Sequence, residues 1–71
     1  MKIVYTLIRE KSQIIVTDDS FRDILKNGMK LKIDGKVYKK FNAPLGVPYG
    51  HDLIIYGAEN DLIGKDVEFL E

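Results

Sequence analysis

The sequence predicts a small, mainly β domain of the α+β class, built as a half-closed β-barrel or a curled antiparallel sheet with one short helix. Short runs of β-branched and aromatic residues recur along the 71-residue chain, turn residues separate them, and one further run has helical spacing. The expected element order is ββαββββ. The chain has no cysteine, no linker and no low-complexity stretch, so residues 1–71 are expected to form one domain.

The first two strands are predicted as a hairpin over Lys2–Arg9 and Gln13–Thr17, joined by a charged turn. Successive side chains of a strand point to opposite faces, and both faces of the first strand are largely apolar. We therefore expect this strand to be covered on both sides, as in a small barrel.

A helix is predicted over residues 19–27. Asp18 and Asp19 are candidates for its N-cap, and the Asn27–Gly28 pair that follows is typical of a helix C-terminus. Spacings of three and four residues place one apolar stripe on this segment, formed by Phe21, Ile24 and Leu25. The helix is only about two turns long, so its stripe must dock on the sheet to be stable.

The strongest hairpin pattern covers Met29–Phe41 and turns at Asp34–Gly35. The expected register has a three-residue loop that pairs Ile33 with Val37, because this register gathers the apolar side chains on one face. The alternative is a two-residue loop that pairs Ile33 with Lys36, and Asp-Gly is most familiar in loops of that length.

Residues 42–51 are predicted to be irregular, because two prolines and two glycines in this stretch interrupt helix and sheet alike. Two further strands are predicted at Asp52–Tyr56 and Lys65–Leu70. The connection between them is expected to contain a helical turn at 60–63.

Charge is divided unevenly along a chain whose formal net charge is zero. Residues 1–41 hold ten Lys and Arg against five Asp and Glu, and residues 42–71 hold one against six. In the expected register the outward face of the long hairpin is positive and consists of Lys30, Lys32, Tyr38 and Lys40. Lysines that face each other across strands are mildly destabilising, which points to an anion nearby.

The anion is either a nucleic-acid phosphate, with Tyr38 as a stacking platform, or a carboxylate of the C-terminal strand, Asp66 or Glu68. The third alternative is that these lysines face only solvent and protect the sheet edge from aggregation.

The irregular stretch 42–51 is the second candidate site. It is long for so small a domain, and ordered loops of this kind often carry function. Its apolar side chains, followed by the single histidine, form a candidate partner-binding site of Leu45, Val47, Tyr49 and His51. The alternative is that Leu45 and Val47 plug an open barrel end.

No pattern in the sequence is typical of catalysis or metal binding. His51 and Asp52 are neighbours in the chain, so in a strand their side chains would point to opposite faces. A lone histidine without cysteines also falls short of a zinc site. We therefore expect a non-enzymatic binding module that needs no cofactor and no metal.

The chain has no apolar run near the roughly 20 residues that a membrane span needs. We therefore expect a soluble cytoplasmic protein without a membrane partner. The leading interpretation is protein–protein recognition through residues 42–51. The alternative is a small β domain that binds nucleic acid through the lysine-rich hairpin.

Overall fold

The structure is a computed structural model that describes residues 1–43, 50–57 and 61–71. Its strands form a four-stranded sheet in the order β1-β2-β6-β5 and a three-stranded sheet in the order β4-β3-β7, and every pairing is antiparallel. The strand bounds are β1 (Ile3–Ile8), β2 (Ser12–Thr17), β3 (Lys30–Ile33), β4 (Lys36–Tyr38), β5 (Phe41–Asn42), β6 (Asp52–Tyr56) and β7 (Val67–Leu70). The mainly β class is confirmed, and the described residues form no helix and no closed barrel.

The first hairpin is confirmed, but its first strand is not covered on both sides. β1 is an edge strand. Among the described residues it pairs with β2 and, near its start, contacts a short segment that leads into β7. The two strands meet at a tight turn in which Arg9 and Ser12 exchange backbone hydrogen bonds of 2.8 and 3.4 Å. The exposed apolar side chains of β1 are Val4, Tyr5, Leu7 and Ile8.

The core lies between the two sheets and is built from alternate residues of their central strands. β2 and β6 direct Ile15, Leu53 and Ile55 inward, and β3 directs Leu31 and Ile33 inward. The other buried apolar residues are Ile3, Phe21, Leu62 and Val67. Two polar side chains join them, of which Gln13 donates a 2.6 Å hydrogen bond from Nε2 to Thr6 Oγ1 and so remains satisfied.

The helix predicted over residues 19–27 is wrong, and the segment forms separate turns instead. The amides of Ile24 and Leu25 both donate to the carbonyl of Phe21, at 3.0 and 2.9 Å, which closes a single turn. Phe21 is fully buried, and its amide donates to the Gly50 carbonyl at 3.0 Å. Because so short a helix is marginal by itself, these tertiary contacts decide the local conformation.

The expected register of the second hairpin is also wrong, and the two-residue alternative is observed. Ile33 pairs with Lys36 and Leu31 with Tyr38. Asp34 and Gly35 have φ values of 47° and 87°, which is the backbone of a type I′ turn. The intrinsic preference of Asp-Gly for this turn outweighed the gathering of apolar residues, and Val37 is left exposed on the outer side.

The later strands follow the sequence closely. β6 has the predicted bounds, and β7 comprises the last four residues of the predicted Lys65–Leu70 strand. Asp66, just before β7, makes an isolated bridge to Lys2. β5 was not predicted, because its two residues are too few for an alternating pattern. The helical turn expected at 60–63 lies partly outside the described residues.

The start of β1 is held against the segment that leads into β7. The Ile3 amide donates to the Lys65 carbonyl at 3.0 Å, the Gly64 amide to the Ile3 carbonyl at 2.8 Å, and the Val67 amide to the Met1 carbonyl at 2.9 Å. These bonds connect the edge of the four-stranded sheet to the three-stranded sheet. Beyond Ile3, the edge of β1 makes no such hydrogen bond to residues 64–67.

Candidate interaction groove

A groove opens at the seam between the two sheets, and the turns after β2 form one of its walls. The turn closed by Phe21 directs Leu25 against the core, where it is partly buried. A second turn follows, in which the Met29 amide donates to the Lys26 carbonyl at 3.3 Å. Gly28 lies within this turn with a φ of 87°, a conformation that side-chain-bearing residues rarely adopt.

The opposite wall comes from β5 and the residue that follows it. Phe41 pairs with Ile55 of β6, and its ring lies 6.1 Å from the ring of Phe69. Phe41 and Ala43 are both partly buried against the core. The aromatic contacts hold this short strand in place although it has only two residues.

The groove has a volume of about 470 Å³, which is within the usual range for ligand sites. Its floor is apolar and its rim is basic. The residues that line it are Leu25, Lys26, Asn27, Gly28, Met29, Lys30, Lys39, Phe41 and Ala43. We refer to it below as the lysine-rimmed groove.

Three exposed lysines, Lys26, Lys30 and Lys39, line the groove. None of them makes an ion pair with a carboxylate of the described residues. Lys30 begins β3 and Lys39 directly follows β4, so the hairpin places both at its end away from the Asp34–Gly35 turn. Within the described part of the chain, the rim is therefore a region of positive potential above an apolar floor.

The lysine face predicted from sequence is divided by the observed register. Lys30 and Lys32 lie on the outer side of β3, but Tyr38 pairs with buried Leu31 and is partly buried against the core. The Lys36 ammonium lies 5.1 Å from the centre of the Tyr38 ring, a cation–π contact. Lys40 follows β4 and is exposed, outside any strand.

Lys32 has an acidic neighbour from the C-terminal strand, as one of the sequence alternatives proposed. It lies beside Glu68 of β7 on one side and Val37 of β4 on the other. Together with Asp34, Gly35 and Asp66, Lys32 and Glu68 line a shallow polar depression. Carboxylates thus lie close to the positive charge of this part of the hairpin, whereas the rim lysines have no ion-pair partner in the described part of the chain.

Of the predicted partner-binding residues, only the histidine lies in the part of the chain that the structure describes. Leu45, Val47 and Tyr49 fall outside it. The His51 ring is half-buried, with Nδ1 2.8 Å from the Thr17 carbonyl oxygen, and the Thr17 amide donates to the His51 carbonyl at 3.0 Å. These contacts fasten the entry to β6 onto β2, so the ring has a structural role.

Sequence reasoning missed most of the groove. Leu25 was assigned to a helix stripe and Phe41 to the end of a hairpin, and the two meet only because the sheets close on each other. One signal was present in the sequence, namely the two-residue turn at Asp34–Gly35. With that turn, Lys30 and Lys39 both lie at the opposite end of the hairpin, where they line the groove.

Within residues 1–43, 50–57 and 61–71, no other group of side chains is arranged as a recognisable catalytic or metal site. No group of three or more His, Asp or Glu side chains there is arranged to hold a metal ion. None of the described segments forms a helix long and apolar enough to cross a membrane. The chain matches no protein-family profile, and no curated protein and no solved structure is significantly similar to it.

Proposed function

We propose that the protein is a non-enzymatic module that binds a protein partner, and that the lysine-rimmed groove receives an acidic segment of this partner. The observation that carries the proposal is the combination of an apolar floor with three rim lysines that make no ion pair among the described residues. The cytoplasmic location expected from the sequence is part of this proposal.

The floor favours a partner that contributes an apolar side chain. Leu25, Met29 and Phe41 present side-chain surface to the groove, and covering such surface releases roughly 25 cal/mol per Å². The groove is open to solvent, so a peptide can enter it without a rearrangement of the sheets. An apolar side chain seated on this floor would be the anchor of the interface.

The rim favours carboxylates beside that anchor. Lys26 and Lys30 are in the segment that precedes and begins β3, and Lys39 lies across from them, so acidic residues on either side of an anchor would each meet an ammonium group. Exposed ion pairs contribute little affinity each, but they orient the partner and accelerate association. We expect binding that weakens as salt is added.

The proposal retains part of the loop hypothesis. Ala43 lines the groove, and Asn42 immediately precedes it, so the start of the 42–51 stretch borders the proposed site. Residues 44–49 follow directly in sequence. A partner seated in the groove would therefore meet the beginning of the stretch that sequence analysis singled out.

The test is a titration of the ¹⁵N-labelled protein with an acidic pentapeptide that has a central phenylalanine. We expect shifts of the amide signals of Lys26–Lys30, Lys39 and Phe41–Ala43. Replacing the central phenylalanine by serine should abolish them, and replacing the acidic residues by lysines should do the same. Shifts confined to other parts of the chain, or equal binding of the three peptides, would contradict the proposal.

A charge-reversal pair provides the matched control. Lys39→Glu on the rim should weaken peptide binding by roughly fivefold or more, the upper range of an exposed ion pair. Lys11→Glu, at the exposed tip of the first hairpin, should leave it unchanged. The nucleic-acid alternative is tested on the same samples with a single-stranded oligonucleotide at low salt. If the oligonucleotide binds and the acidic peptide does not, the partner is a nucleic acid and the proposal of a protein partner is wrong.

A further inference from the structure

The outward side of the four-stranded sheet carries an apolar patch that the core does not use. Leu7, Ile14 and Ile54 lie side by side across β1, β2 and β6. Tyr5 and Val16 form the next row on one side, and Tyr56 lies on the other. We call these six residues the outer patch.

The outer patch is open to solvent. Tyr5 exposes 53%, Leu7 39% and Tyr56 58% of its surface, and the three aliphatic residues nearer the centre are half-buried only by their neighbours in the sheet. The corresponding side of the three-stranded sheet is different, because it carries Lys32 and Glu68 beside Val37. Contiguous exposed apolar surface of this kind marks an interface more often than isolated residues do.

We infer that the outer patch is the contact between two copies of this chain, which pack their four-stranded sheets face to face. Sheets that pack in this way lie about 10 Å apart with strands within about 30° of each other. This inference concerns a different surface from the lysine-rimmed groove, which opens at the seam between the sheets. Peptide binding in the groove and dimer formation through the outer patch can therefore be tested independently.

The area fits a weak, transient dimer. About half of each tyrosine is already covered in the monomer, so each adds roughly 100 Å² when the sheets pack. With the exposed parts of the four aliphatic residues we expect roughly 400 Å² on each copy and about 800 Å² in total, which is the size of a transient contact.

Charge also favours a second copy as the occupant. The patch has no charged residue at its centre, and Asp52 lies at its margin, where it pairs with Val16. A two-fold arrangement therefore does not force like charges into the middle of the contact. The formal net charge of the chain is zero, so two copies approach without mutual repulsion.

The size of the domain gives a third reason. Domains of this length have a small core, and those without disulfides or structural metals often gain stability by association. The chain has no cysteine. Covering the outer patch would give the four-stranded sheet apolar contacts on both of its faces, where the monomer has them on one.

Sedimentation of the full chain from about 1 μM to about 1 mM tests the inference, because weak dimers assemble within this range. We expect a concentration-dependent change from 8.1 kDa to twice that mass. Leu7→Lys should raise the dissociation constant by at least about tenfold, since it places a charge within the buried contact. Val37→Lys, which is 44% exposed on the other sheet, should leave the constant unchanged.

Circular dichroism establishes that each variant is folded, and Tyr56→Lys replaces Leu7→Lys if the latter does not fold. Isotope-filtered NMR of a mixture of labelled and unlabelled chains should show contacts between the methyl groups of Leu7, Ile14 and Ile54 of different copies. A monomer at the highest concentration would overturn the inference. A dimer that Val37→Lys weakens as much as the patch variants do would overturn it as well.

Discussion

Asp18 shows how one residue can have a role that its neighbours in sequence do not reveal. Sequence analysis placed it at the start of a helix, where its carboxylate would bond amides of the first turn. In the structure Oδ1 instead accepts from the Lys2 amide and from the Asp19 amide, each at 2.8 Å. The carboxylate thus connects the beginning of the chain to the end of β2.

This role makes a prediction about pH. The hydrogen bond from the Lys2 amide, followed by that from Asp19, holds the pKa of the Asp18 carboxyl below its ordinary value. A lowered pKa in the folded state stabilises the fold above the ordinary pKa, and this contribution is lost as the pH falls through the lowered one. Asp18→Asn should therefore lower the melting temperature at neutral pH, and the difference from wild type should shrink under acidic conditions. An equal difference at every pH would contradict this.

Gly50 is the second residue whose environment decides what it tolerates. Its φ is 59°, and a Cβ added there would lie 3.1 Å from the Cβ of Arg22 and 3.3 Å from its backbone. Gly50 also accepts the amide of Phe21 through its carbonyl. Because the two segments approach so closely, a side chain at Gly50 would fit only if Arg22 shifted by a few tenths of an ångström.

We expect Gly50→Ala to lower the melting temperature more than Gly28→Ala does. Both glycines have a positive φ, at which alanine costs roughly 1–3 kcal/mol, but the space around Gly28 is open. Only Gly50→Ala must also displace the Arg22 backbone. Thermal unfolding of both variants measures the difference, and equal destabilisation would show that the backbone conformation alone matters.

At the scale of elements, short runs of apolar residues predicted three strands well, and turn chemistry decided the hairpin register that such runs could not. β1, β2 and β6 were found within about one residue, because each contains consecutive apolar residues, such as Ile14–Val16 in β2 and Leu53–Ile55 in β6. The hairpin register failed because the apolar pattern and the Asp34–Gly35 turn indicated different pairings, and the turn prevailed.

The false helix has a different cause. Its apolar spacing was real, but only Phe21 and Leu25 use it to contact the core, and Ile24 is 48% exposed. Spacing alone does not distinguish a helix that docks all three residues from a turn in which Phe21 is fully buried, Leu25 partly buried and Ile24 exposed. The lysine-rimmed groove could not be predicted either, since its walls come from segments that meet only after the sheets close.

The turn anchored by Phe21 therefore gives a prediction at the level of the element. Phe21 is fully buried, and its ring meets Phe69 edge-on at 5.5 Å. Phe21→Ala should cost about 3–5 kcal/mol, which is comparable to the whole stability of a domain of this size. Ile24→Ala should stay within about 0.5 kcal/mol. Similar losses for both variants in urea unfolding would indicate a docked helix rather than a single anchored turn.

The whole molecule depends on contacts between segments that are far apart in sequence. β7 pairs with β3, Val67 is buried in the shared core, and the Val67 amide also bonds the Met1 carbonyl. Deleting residues 66–71 should therefore abolish cooperative unfolding of both sheets, because each loses core contacts or hydrogen bonds. Near-UV circular dichroism and proton NMR would measure this, and a melt of the shortened chain that resembles wild type would contradict it.

The bonds between Met1, Ile3 and residues 64–67 also have a consequence for the order of folding. They join segments that β2 to β6 separate in sequence, so closing the chain between them costs entropy that nearby pairings do not. The hairpins β1–β2 and β3–β4 join neighbouring segments instead. We therefore expect the hairpins to form first and the bonds that connect the two sheets to form last.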